Sequence, residues 1–324
     1  MTAIKSRNVH VVGVNGNFDD CQSSVKMAFQ DPDLNEKLLS DNSFKLSAAN
    51  SISWGRLVQQ VVYHVSSYLD LVKNNVIALG GEIDLCIPTG NFGNILAAYY
   101  AKEMGIPIKR FICASNSNNV LTDFLKSGQY NLQHRQLVKT ASPAIDILVS
   151  SNLERYIYHA SGGDTDLVRC CYESLKKNRK FEVPSEVLDK MRNTFVADWC
   201  SEEDCKETIQ DTLNRTGYLL DPHTAVAKTV GDRFSTNDRP MIIASTAHCD
   251  KFAPEIMSFM EQSRSSSDLT ELFQSLQAMR ILPPSHKLLE KSMENHRYHR
   301  TVIDSKYSDV VKQILSFSKL SRSA

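Results

Sequence analysis

The chain is 324 residues long, 42% hydrophobic and 23% charged, which fits a soluble globular protein of one or two domains and excludes collagen-like, fibrous and disordered classes. Its 37 basic and 37 acidic residues cancel, so no excess charge draws it to nucleic acid or to an anionic membrane surface. The longest apolar runs fall far short of the roughly 20 residues that span a bilayer, and the opening MTAIKSRNVHVVGV has no cleavable signal pattern.

In chain order, NVHVVGVNG (8–16) reads as a strand and DDCQSSVKMAFQD (19–31) as the helix after it, with Asp19 or Asp20 available to cap. The long segment through Trp54, Val58, Val61, Val62, Val65, Leu69 and Val72 repeats its apolar residues at helical spacing, so one face of a helix is buried. EIDLCI (82–87) reads as a short buried strand. NILAAYYAKEM follows as a helix stopped by Gly105 with Pro107 just beyond, and IKRFICASN (108–116) is the next strand. That is a βαβ unit. TGYLLDP, HTAVAKTVGDRF and PMIIASTAH repeat the strand, helix, strand order, and CDKFAPEIMSFM reads as a further helix. The alternation predicts an α/β fold with a largely parallel sheet flanked by helices. Residues 151–215 read as a charged, mainly helical insertion in a body spanning 1–260. Residues 261–324 read as a serine-rich linker and an amphipathic appendage in which Val310, Val311, Ile314 and Leu315 dock.

The eight cysteines are scattered, and the adjacent Cys170 and Cys171 cannot bridge one another without strain, which favours a reduced intracellular compartment. Cys200 and Cys205, with His248 and Cys249 far downstream, match no standard zinc spacing and read as ordinary thiols, so no metal is expected.

The stretch that carries chemistry is CIPTGNFGNILAAYY (86–100). A turn at the carboxyl end of a strand that leads directly into a helix presents unpaired backbone N–H groups and the positive end of the helix dipole. Gly90 and Gly93 permit unusual backbone angles and close approach, while Asn91 and Asn94 add side-chain hydrogen bonds or a cap. Phosphate is the natural guest, and a tight βα turn that needs its glycines only for geometry is the alternative. The spacing is neither a Walker loop nor a GxGxxG fingerprint.

PTGNFGNILAAYYAKEMGIP resembles the phosphate-binding loop and following helix of the threonine synthase family, and VGVNGNFDDCQ, NSISWGR, ASPAIDILVSSNLER, DPHTAVA and STAHCDKF follow the family order over roughly residues 8–260. TFVADWCSEEDC is similar to the animal threonine synthase-like subgroup. The resemblance implies the tryptophan-synthase-like fold type II architecture, pyridoxal 5′-phosphate as cofactor and O-phosphohomoserine as substrate, converted to threonine or, by a phospho-lyase route, to 2-oxobutyrate. It implies that the backbone of Gly90, Asn91, Phe92, Gly93 and Asn94 holds the cofactor phosphate and that Thr246 sets a neutral hydroxyl against the pyridine nitrogen. Asn50, Ser51 and Arg56 are substrate candidates, Arg being suited to bidentate phosphate binding. A helix start with a solvated arginine reads equally well there. His223 is either a site residue or a helix-entry residue. Three positions depart from the family pattern: Ser53 and Gly55 replace an Asn and an Ala, and Asn94 replaces an Asp.

The family lysine that forms the Schiff base with the cofactor sits in a TLAFKD-like motif upstream of the VGVNGNFDDCQ segment. Lys5, Lys26, Lys37, Lys45 and Lys73 are the lysines before the loop, and none has that context. The sequence therefore reads as a carboxyl-terminal portion of such a protein, an incomplete fold type II body without catalytic turnover of its own, in cytoplasm or mitochondrial matrix. A non-catalytic phosphate-ligand-binding or interaction module is the alternative reading.

Overall fold

The computed structural model describes residues 4, 6, 8–16, 18–51, 53–260, 268–285, 287, 289, 290 and 298–320. These fall into two compact units, one of residues 49–286 and one that joins residues 1–48 to 287–324.

The larger unit is built on a four-stranded parallel sheet. After β1 (Gly13–Asn15), α1 (Phe18–Gln30) and α2 (Pro32–Asn42) of the smaller unit, the larger unit runs through α3 (Trp54–Val58), α4 (Val61–Lys73), β2 (Ile83–Pro88), α5 (Gly93–Glu103) and β3 (Ile108–Ser115). Next are α6 (Val120–Ser127), β4 (Gln129–Asn131), α7 (Leu153–Ala160), α8 (Thr165–Asn178), β5 (Lys180–Glu182), α9 (Ser185–Thr194) and β6 (Phe195–Trp199). The unit closes with α10 (Glu202–Thr216), α11 (Pro222–Phe234), β7 (Met241–Ile243), α12 (Ala253–Phe259) and α13 (Leu269–Met279). The sheet order is β6-β3-β2-β7, while β4 and β5 form a separate antiparallel pair.

Every residue of β2 is buried, because both faces of the sheet are covered. Side chains alternate across a strand, so Leu85, Ile87, Phe111 and Cys113 enter one core with Ile95, Leu96 and Phe124, whereas Cys86, Ile112 and Ala114 enter a second with Ala225, Val226 and Val230. α11 lies so close to the sheet that a Cβ on Gly231 would meet Ile243 Cδ1 at 2.7 Å. The carboxyl ends of β2 and β7 therefore open side by side between two rigid layers, the position where open α/β sheets take ligands.

In the smaller unit, β1 (Gly13–Asn15) pairs in parallel with β8 (Val302–Asp304). Ala28 of α1 (Phe18–Gln30) and Leu34 and Leu38 of α2 (Pro32–Asn42) bury against Val311, Ile314 and Leu315 of α14 (Tyr307–Leu320). The amphipathic tail thus packs on the amino-terminal segment, and this partition differs from the 1–260 body and 261–324 appendage read from the sequence. The apolar faces of the two chain ends are short, and each is completed by the other.

Other expectations shift in detail. The 8–16 strand contracts to three residues, and the long amphipathic helix breaks at Gln59–Gln60 into α3 and α4. TGYLLDP forms no strand; Tyr218 makes a single bridge to Leu282. The 151–215 segment is more than an insertion, since β6 is the sheet edge beside β3. Most of the serine-rich linker, residues 261–267, lies outside the described residues.

Candidate functional site

A cavity of about 810 Å³ opens at the carboxyl ends of β2 and β7. Arg56, Gly90, Asn91, Gly93, Asn94, His223 and Thr246 all line it. Phe92 does not: its ring is buried against Tyr156 and Phe195, with centroids 5.9 and 5.5 Å away.

The backbone of the loop departs from the reading of its glycines. Neither Gly90 nor Gly93 has a positive φ; the left-handed residue is Phe92, at 62°, immediately before α5. Its core-anchored ring holds a conformation that a non-glycine residue rarely adopts. The glycines are needed for clearance instead. A Cβ on Gly90 would lie 2.9 Å from Ile145 Cα, and one on Gly93 would lie 3.1 to 3.2 Å from Asn91, Asn152 and Ser51.

Hydrogen bonds then turn the loop outward. Ser150 Oγ donates to the Gly90 carbonyl at 2.5 Å, and Asn152 donates from both its backbone N and its Nδ2 to the Asn91 carbonyl at 3.0 Å. With those carbonyls drawn into the protein, N–H groups remain for the cavity. The Gly93 N–H is taken by Asn91 Oδ1 at 2.9 Å, but the Asn94 N–H finds no protein acceptor among the described residues. An orphan donor at the start of an eleven-residue helix that opens into a cavity suits an oxyanion.

Ser51 lies behind the loop. Buried, it accepts from Asn91 Nδ2 at 3.3 Å and Asn152 Nδ2 at 3.0 Å, while Arg155 donates to its carbonyl at 2.8 Å. Of the substrate candidates, Arg56 faces the cavity, Ser51 buttresses the loop from behind, and the exposed Asn50 is not on the cavity wall.

His223 lines the cavity and also sits in the first turn of α11. It accepts the Ala144 N–H at Nε2 (3.1 Å), so its proton is on Nδ1, facing Asp221 Oδ1 at 3.0 Å. Burial alone would push the Asp221 carboxyl up, but the hydrogen bonds from His223 and Thr224 outweigh it and hold it below its ordinary value. The pair pins Ala144 and Ile145, and Ile145 is the wall against Gly90. Ser245 Oγ lies 3.2 Å from Thr224 Oγ1, a hydrogen bond that ties the start of α11 to the segment carrying Thr246.

Two cavity residues escaped the sequence reading. Lys251 supplies a second cation opposite the loop, its Nζ 5.4 Å over the Phe252 ring. His64, on α4, bonds Asn94 and is held neutral, because burial pushes it down to about 4. Inside an amphipathic helix a lone histidine gives no signal, whereas a lysine five residues past Thr246 in STAHCDKF is visible once that loop is placed.

All eight cysteines are free thiols. Cys200 and Cys205 neighbour each other in the second core, flanking the start of α10. Among the described residues, the cluster with metal-type donors is His248, Cys249 and Asp250, and it excludes that pair. The Arg280 guanidinium already supplies the positive charge there, donating to Cys249 Sγ at 3.0 Å and to Asp250. Among the described residues no helix is long and apolar enough to cross a membrane.

No family model matches the chain. In structure it is similar to the threonine synthase of Brucella melitensis with pyridoxal phosphate bound, at a TM-score of 0.79 and 33% identity, covering 98% of this chain and 61% of that one. This places the fold in the type II class of pyridoxal-phosphate proteins, an α/β body with a parallel sheet flanked by helices.

In sequence it is 48% identical over 291 residues to human threonine synthase-like 1, covering 90% of this chain and 39% of that protein. It is 36% identical over 275 residues to the threonine synthase of Schizosaccharomyces pombe, covering 78% of this chain and 52% of that protein. The chain belongs to the threonine synthase family, of whose curated members it spans between about two-fifths and three-fifths of the length.

Proposed function

We propose that the cavity binds pyridoxal 5′-phosphate, with the phosphate at the start of α5 and the pyridine nitrogen facing the Thr246 hydroxyl. The observation that carries this is the Asn94 N–H, without a protein acceptor among the described residues, at the edge of the cavity that Asn94, Arg56 and Thr246 line. The residues fit the group. The cavity volume lies within the range of small-molecule sites, and its lining mixes apolar side chains with polar and charged ones.

The substrate we propose is a phosphorylated amino acid of the O-phosphohomoserine type, its phosphate taken by Arg56 and Lys251. A guanidinium forms paired hydrogen bonds to phosphate, and the ammonium adds a point charge. Pyridoxal phosphate, when bound, supplies an electron sink for elimination and replacement of the phosphate group. Thr246 offers that ring a hydroxyl, which does not enforce protonation as a carboxylate does. Asn91, Ser150 and Asn152 hold the loop, and Ile145 closes it against water.

Support for a second reading, a non-catalytic phosphate-ligand-binding module, comes from the lysines. Lys26, Lys37, Lys45 and Lys73 are not on the cavity wall, and Lys251 is the lysine that is, among the described residues. The 324 residues alone are therefore expected to bind the cofactor without releasing phosphate from O-phosphohomoserine. Calorimetry with pyridoxal phosphate and with O-phosphohomoserine, followed by a phosphate-release assay, separates the readings. Binding with cofactor-dependent release sinks the non-catalytic one; no heat with either ligand sinks both.

A further inference from the structure

His64 and Asn94 meet at the mouth of α5, and both line the cavity. His64 Nε2 lies 3.2 Å from the Asn94 backbone carbonyl oxygen and 2.9 Å from the end of the Asn94 side chain. A carbonyl oxygen only accepts, so Nε2 must carry the proton. The side-chain atom on the same proton must then also be an acceptor, which makes it Oδ1. The amide cannot be turned over without setting one donor against another. Its –NH2 end is left over, and no protein acceptor takes it among the described residues.

We infer that His64 is a positioning residue for the anion site: it fixes the Asn94 amide so that its –NH2 faces the cavity beside the Asn94 backbone N–H. The two donors of one residue then take two oxygens of the same phosphate. This rests on the reading of the cavity as a phosphate site and deepens it. Tyr63 packs its ring 4.5 Å from that of His64, and the buried ring is neutral, so it orients without competing for the phosphate.

The test compares pyridoxal 5′-phosphate with pyridoxal, and inorganic phosphate alone, by calorimetry on the whole chain and on His64→Phe, His64→Gln and Asn94→Ala. The Phe variant is expected to lose about tenfold in affinity for both phosphate-bearing ligands and little for pyridoxal, a loss of one or two hydrogen bonds to a charged group. Glutamine, which can donate from its amide, should recover most of that loss. Alanine at 94, which removes the side-chain amide and keeps the backbone N–H, should cost a similar factor, selectively for phosphate. Melting temperatures of all three report whether the fold is kept, and the phosphate-over-pyridoxal ratio is read within each variant, so general loosening does not imitate the effect. If the parent chain binds none of the ligands, the reading of the site falls and this inference with it. If the parent binds and His64→Phe keeps the parent's ratio, the inference alone is wrong.

Discussion

Two loops leave the carboxyl ends of neighbouring parallel strands, and they are held in different ways. The loop after β2, Thr89–Asn94, is fixed from within the core: Gly90 lies against Ile145, its carbonyls are bonded by Ser150 and Asn152, and Phe92 is plugged between aromatic rings. The loop after β7, Ala244–Lys251, leaves Ser245 and Thr246 exposed and is tied from outside. Arg280 bonds Cys249 and Asp250, and His248 Nε2 meets the Pro284 carbonyl at 3.1 Å. The loop proposed to take phosphate is thus a rigid cup, and it faces a wall whose position depends on residues about 30 positions downstream. One side is a matter of packing and the other of a buried ion pair.

The largest effect should come from cutting the outer tie. Asp250 and Arg280 have side chains 0% and 3% exposed, and Arg280→Met leaves the carboxylate buried without its partner. Removing one member of such a pair costs about 3 to 5 kcal/mol, so urea unfolding should show a large fall in stability. Inorganic phosphate affinity should change less than about threefold, because the α5 loop is untouched. A comparable loss of phosphate binding would show that the loops are not independent.

A pH effect of similar size is expected at the cup. His64 is pushed down to about 4 from 6.5, so the folded state disfavours its protonation. The stability it contributes is complete above about pH 6.5, and is lost as pH falls toward 4, by about 3 kcal/mol in all. His64→Gln should flatten that part of the stability profile.

Smaller effects test the packing. Gly90→Ala must move Ile145, at a cost of about 1 to 3 kcal/mol, with a loss of phosphate binding that Arg280→Met does not show. Ser51→Ala removes an acceptor for two amides and should cost about 1 kcal/mol, with a modest weakening of phosphate binding read by calorimetry.

The unequal construction explains what the sequence could tell. The βαβ unit over 83–115 was legible because a strand covered on both faces is a continuous apolar run and because Gly105 and Pro107 mark the end of α5. The PTGNFGN loop was legible as a turn between strand and helix, and its place there made it a candidate anion site. Its mechanism was not, since the positive φ falls on Phe92 and the glycines answer to Ile145 and Ser51 across the fold. The supports Ser150 and Asn152 lie about 60 residues from the loop they hold, and no local pattern links them. TGYLLDP looked like a strand from its apolar residues, yet Leu219 and Leu220 are buried in the second core and the segment makes one isolated bridge, Tyr218 to Leu282. Edge strand β6 hid within a charged, helical stretch, and the break at Gln59–Gln60 carries neither glycine nor proline.

The central claim is that phosphate sits at the start of α5. A crystal structure of the chain soaked with pyridoxal 5′-phosphate tests it most directly. The account predicts phosphate density within hydrogen-bonding distance of the Asn94 backbone N–H, with the pyridine ring directed toward Thr246. Density for the phosphate elsewhere, with the α5 start left to water, would contradict it.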